Sequence, residues 1–144
     1  MKGRVFAISR AGGLFPARMA KGWLLSCQKV KAPDELYEDA CAFFDATLTH
    51  RSEHCGGSAY CLNTAAKMSL SDALDWAKDH HTRATNFETD EEGYFSIGGH
   101  AQESILGIAF GQAGRMECVW IEQAVISGDS SKQLKWGKPF SASE

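Results

Sequence analysis

The sequence predicts an α+β fold, an antiparallel sheet of about four to six strands with two helices packed on one face. Three observations carry that expectation. Strand-like and helix-like segments are segregated along the chain instead of alternating. Two strand patterns near the C-terminus, Glu103 to Phe110 and Met116 to Ile126, are so closely set that only a hairpin joins them. Both faces of that pair carry apolar side chains, which places it centrally in a sheet.

In chain order, Arg4 to Ser9 alternates as a short strand, and Gly12, Gly13 and Pro16 mark the loop after it. Trp23 to Val30 fits a strand through Trp23, Leu25 and Cys27, and a helical face through Met19, Trp23, Cys27 and Val30. A hairpin with Arg4 to Ser9 is the simpler arrangement. A helix is expected from Pro33, with Asp34 and Glu35 at the positive end of its dipole. Its apolar stripe runs through Leu36, Tyr37, Ala40, Cys41, Phe44 and Leu48 to about Thr49. A second helix is expected from Ser69 or Ser71, where hydroxyls can cap it, to His80 or His81. An acidic loop then leads to a strand at Tyr94 to Ile97, and Leu134 to Trp136 forms a short edge strand before a polar tail.

At 144 residues, with 44% hydrophobic and 23% charged residues, residues 1–144 fit one α+β domain with a sizeable core. The longest apolar runs fall far below the ~18 residues that a membrane span requires. Lys2 and Arg4 are followed by Arg10 before an apolar signal segment can develop, so a cytoplasmic location is expected. Five cysteines without framework spacing are expected as free thiols, with Cys27, Cys41 and Cys118 serving as small buried hydrophobes.

The net charge of −3 hides an asymmetry. The first 32 residues hold seven cations and no acid, which leaves eight basic residues against eighteen acids, a net of −10, for residues 33–144. Arg4, Arg10, Arg18, Lys21 and Lys29, interleaved with Phe6, Phe15 and Trp23, are therefore the candidate ligand-binding cations for nucleic acid or an acidic partner. Internal pairing of the basic segment with the acidic body is the simpler account, and nucleic acid is the less favoured partner.

The stretch from His50 to Cys61 concentrates the groups with chemical potential. His50 to His54 reads H-x-x-E-H and resembles the inverted zinc-peptidase motif over five residues. That resemblance implies His50 and His54 as zinc ligands and Glu53 as general base, with Glu103, Glu117 or Glu122 as loose candidates for the remaining ligand. A different metal set would combine His50, His54, Cys55 and Cys61, although the cysteine spacing is wider than a zinc knuckle. Cys55 could act as a nucleophile beside His80, His81 or His100, and His100 beside Gly98 and Gly99 could line a pocket as an acid or base. The account that needs no metal is a helix end, where histidines meet the negative dipole.

No complete catalytic constellation is assembled at specific spacing. The expectation is therefore a small binding protein for a protein partner or small ligand, without cofactor, metal or membrane span. A metal- or Cys/His-dependent hydrolase is the alternative. The apolar second face of the C-terminal strands calls for cover by helices, an enclosed pocket or a symmetric mate in a homodimer.

Overall fold

The computed structural model describes residues 2–31, 36–97, 103–126 and 133–143. Strands β1 (Lys2–Ile8) and β2 (Leu14–Ser26) precede helices α1 (Ala40–Ser52) and α2 (Ala59–Asp79). Six strands follow: β3 (Ala84–Glu88), β4 (Tyr94–Ser96), β5 (Glu103–Ala113), β6 (Met116–Ile126), β7 (Gln133–Trp136) and β8 (Ser141–Ser143). The α+β class stands, with eight strands where about four to six were expected. Their main path is β4-β1-β2-β5-β6-β8, with β3 joining β2 and β7 joining β1. The β1–β7 pairing is parallel, and the other pairings are antiparallel.

The expected hairpin of β5 and β6 forms in continuous register from Glu103↔Ile126 to Ala113↔Met116. Because side chains alternate across a strand, Leu106, Ile108 and Val119 face the helices, where they meet Leu25, Phe44, Leu48, Leu70 and Ala73. Ile105, Ala109, Cys118, Trp120 and Ile126 face the opposite way, toward Val5, Leu24, Phe95 and Trp136. The second apolar face is thus covered from within the chain. β1 pairs with β2 only through Phe6 to Ile8, while Lys2 to Arg4 pair with β4 and β7 in an arm that folds back over the sheet. Fully buried Trp120 fastens this arm by donating its indole N–H to the Phe6 carbonyl at 2.9 Å.

Close approach within the arm depends on missing side chains. Phe87, Phe95 and Trp136 form one aromatic cluster, with centroid separations of 4.3, 5.3 and 5.7 Å. Their rings lie where a Cβ would stand on Gly22, Gly3 and Gly107 respectively. A methyl group at any of these positions would overlap a ring boxed in by its neighbours.

Two strands, β3 and β8, exceed the expected set, and β2 is longer than expected. The first half of β2 reads as a loop because its buried positions are the small residues Ala17, Ala20 and Gly22, and a bulge between Arg18 and Lys21 breaks the alternation. Met19 adopts a positive φ of 50° there. Buried Thr89 holds the bulge: its hydroxyl donates to the Ala17 carbonyl at 2.6 Å and accepts from the Ala20 N–H at 2.8 Å. The sequence of β3 reads as part of an acidic loop and that of β8 as a polar tail, and the segment after Ser26 leaves the sheet before Val30.

Both helix starts also differ. α1 begins at Ala40, where the Asp39 carboxylate accepts from the Ala42 N–H at 2.7 Å. Of the stripe proposed upstream, Leu36 is 83% exposed, and Pro33, Asp34 and Glu35 lie outside the described residues. α2 begins at Ala59, capped by Ser58, ten residues before Ser69. Its first turns conceal their helical pattern by burying Asn63 and the small Ala65 and Ala66, while exposing Tyr60 and Met68.

The free-thiol expectation is overturned for four of the five cysteines. Cys27 and Cys41 are disulfide-bonded with Cα atoms 5.3 Å apart, and so are Cys55 and Cys61 at 5.4 Å. Chain folding supplies this proximity, which linear spacing does not reveal. Cys118 alone is a thiol, and burial pushes its pKa up. Among the described residues no helix is long and apolar enough to cross a membrane.

Two substitutions test the packing. Gly107→Ala should lower stability by about 1–3 kcal/mol through overlap with Trp136, and an unchanged urea midpoint would refute that ring placement. Thr89→Val should cost about 1–3 kcal/mol by stranding the bulge carbonyl and N–H. Amide exchange at Ala20 should accelerate in the same variant.

Candidate functional site

The turn between α1 and α2 is built by local hydrogen bonds. Glu53 donates its N–H to the Thr49 carbonyl at 3.2 Å, and Cys55 donates to Ser52 at 3.0 Å. Gly56 and Gly57 take positive φ of 57° and 86°, reversing the chain where a side chain would be strained. Ser58 donates its N–H to Cys55 at 3.0 Å, and its hydroxyl accepts from the Cys61 N–H at 3.2 Å. The Cys55–Cys61 disulfide closes this turn.

Further contacts fix the helix pair. Arg51 on α1 reaches across to α2, pairing with the Asp72 carboxylate and donating to the Ser69 hydroxyl at 3.1 Å. On the sheet side, buried Asn63 donates to the Glu117 carbonyl at 3.3 Å and accepts from the Ser141 hydroxyl. These bonds tie α2 to β6 and β8. The inner surfaces of both helices are therefore committed to structure.

Their outer surfaces enclose an open groove of about 480 Å³. His50, Arg51 and His54 form the α1 wall, and Tyr60, Cys61, Thr64, Ala65 and Met68 form the α2 wall. The two imidazoles lie one helical turn apart, with centroids 6.3 Å apart. Tyr60 is 75% exposed and Met68 is 51% exposed. Such large side chains on the solvent-facing side of α2 mark a surface suited to contact.

The structure brings together some predicted groups and separates others. His50, His54 and Cys61 share the groove, whereas exposed Glu53 serves the end of α1 through its backbone and does not line it. Cys55 and Cys61 carry no thiol in the disulfide, which corrects both the nucleophile reading and the thiolate metal set. His80 and His81 follow the far end of α2, roughly 30 Å from Cys61 at 1.5 Å per residue. His100 lies outside the described residues. Glu103 accepts from the Ser26 hydroxyl at 2.9 Å and pairs with Arg83, so it does not complete a zinc-peptidase site. Among the described residues no three His, Cys, Asp or Glu side chains converge as a metal site.

The basic residues are dispersed. Arg4 donates to the Glu92 carbonyl at 3.0 Å and lies 4.7 Å from the Tyr94 ring centroid. Arg10 occupies the β1–β2 turn, Arg18 and Lys21 flank the bulge, and Lys29 pairs with Glu38 at 3.4 Å. Beside the bulge lies a larger groove of about 820 Å³, where Glu88, Asp90 and Glu91 gather near Met19 and Tyr94. Its central polar groups serve the fold: Asp90 accepts from the Glu92 and Tyr94 N–H groups at 2.8 and 2.9 Å, and Thr89 holds the bulge. The α1–α2 groove is the stronger candidate because it presents exposed Tyr60 and Met68 beside His50 and His54, although Arg51 and the Thr64 hydroxyl serve the fold.

Arg51, Tyr60, Thr64, Ala65 and Met68 line the groove without having been sequence candidates, and Tyr60, Thr64 and Met68 share one face of α2. Their i, i+4, i+8 spacing is visible once α2 is started at Ala59.

No family model and no curated protein matches the chain. The chain is similar to the solved pilus backbone, RrgB, of Streptococcus pneumoniae, with 9% identity and a TM-score of 0.36. The match covers 95% of this chain and 40% of that one, so the chain spans well under half the length of the pilus subunit. An overlap this loose decides nothing about function.

Ellman titration of the denatured, unreduced protein should find one thiol per chain, from Cys118. Five thiols in protein purified without reductant would contradict both disulfides.

Proposed function

We propose that this chain is a binding module of an oxidising compartment, and that it receives an apolar or aromatic group in the groove between α1 and α2. The observation that carries this proposal is the exposure of Tyr60 and Met68 beside His50 and His54, on a helix pair held by a disulfide and by Arg51. A fixed concave surface binds with less loss of conformational freedom than one that must be ordered by its ligand. The apolar wall supplies contact area, and the imidazoles and phenol supply hydrogen bonds at its edge. Disulfides persist in oxidising surroundings and are rare in the cytosol, which favours an exported setting over the cytoplasmic one expected from sequence.

Neutral indole is a suitable first probe because it resembles an aromatic side chain and carries no charge to be drawn elsewhere. Titrated into isotope-labelled protein, it should shift the amide resonances of Thr64, Ala65 and Met68. Thr64→Arg, which fills the groove from an exposed helix position, should weaken these shifts at least about tenfold in indole concentration. Indole shifts confined to the groove beside Met19 would overturn the assignment.

A further inference from the structure

We propose that His50, His54 and Met68 form a binding site for a cuprous ion at the edge of the α1–α2 groove. This proposal rests on that groove being the binding face, and adds a ligand class that apolar contact alone would not select.

The three donors line one groove. Arg51, adjacent to His50, donates to Ser69, adjacent to Met68, at 3.1 Å. This cross-link sets the segments carrying His50 and Met68 opposite each other on the two helices, and both side chains line the same groove. His54 follows His50 by one turn on that wall. An imidazole nitrogen binds a first-row ion at about 2 Å, so two rings joined through one ion span roughly 5–6 Å between centroids, the wide end belonging to a near-linear pair. The observed separation is 6.3 Å. Both imidazoles are exposed and can turn their nitrogens toward the ion without disturbing the core.

The donor chemistry selects the metal. Imidazole nitrogens with a thioether form a soft set that suits Cu(I), whereas structural zinc takes four ligands drawn from thiolate, imidazole and carboxylate, and calcium takes oxygen. Disulfide formation removes Cys55 and Cys61 as thiolates. Met68 remains as a sulfur donor that keeps its lone pairs in oxidising surroundings, short of conversion to its sulfoxide.

The test uses the full, disulfide-bonded chain carrying Cys118→Ala, so that no thiol competes. Cu(I) is supplied anaerobically as its acetonitrile complex and competed against bicinchoninate. One Cu(I) should bind per chain, and X-ray absorption should show a sulfur neighbour. The double variant His50→Ala/His54→Ala should abolish competition. Met68→Leu should weaken Cu(I) at least about tenfold and remove the sulfur signal, while leaving the indole response in place.

Failure to compete with bicinchoninate, binding that survives loss of both histidines, or Cu(I) affinity unchanged in Met68→Leu would each overturn the site. Indole mapping in the presence of chelator separates the two proposals. Groove shifts without Cu(I) binding reject the copper site and retain the apolar one. Cu(I) binding with a sulfur neighbour, but without indole shifts, does the reverse.

Discussion

The β5–β6 ladder is apolar on both faces, and this double burial governs the rest of the chain. A strand pair of this kind cannot have one face in water without exposing several large side chains. The helices cover Leu106, Ile108 and Val119, and the folded-back arm covers Ile105, Ala109 and Trp120. β2 connects the two solutions. Its first residues pair with β1 in the arm, and its second half lies between β3 and β5 in the main sheet. The bulge at Met19 lies between those two halves and accommodates a change of strand direction. Thr89 makes the bulge tolerable in a dry environment by satisfying groups that the ladder leaves unpaired.

Burying one helix face leaves the other to be explained. α2 sends Asn63, Ala66, Leu70 and Ala73 inward, and its outward positions carry Tyr60, Thr64 and Met68. A purely structural amphipathic helix gains little from an exposed tyrosine and methionine, since exposed apolar area adds nothing to the core. The cross-links tell in the same direction. The Cys55–Cys61 bond, the Arg51 contacts and the Asn63 contacts constrain the end of the helix pair that holds the groove, so its walls keep their spacing without a ligand.

How much of this could be read from the residues depends on side-chain size. Large alternating residues made β5 and β6 legible, and Phe44 and Leu48 made α1 legible beyond its first turn. Alanine and glycine carry little hydrophobic signal, so the strand through Ala17, Ala20 and Gly22 and the helix through Ala65 and Ala66 escaped recognition. Glycines under aromatic rings have the same effect, because the sequence shows a gap where the fold has a tight contact. At the site, His50 and His54 stood out by composition, yet their companions on α2 did not. The contact between the walls is set by Arg51 reaching residues 18 and 21 positions ahead, beyond any local period.

The cysteines change the chemistry available in this region as well as its rigidity. As thiolates, Cys55 and Cys61 would be candidate zinc donors. Once the sulfurs bond to each other, their free donor capacity falls sharply, and the same linkage fixes the start of α2 against the end of α1. Tyr60 and Met68 are then presented next to the imidazoles by the helix that the disulfide anchors. With the cysteines bonded, the groove is lined by imidazole nitrogens and a thioether, and by no thiol. The binding proposed for that groove needs neither cysteine as a thiolate.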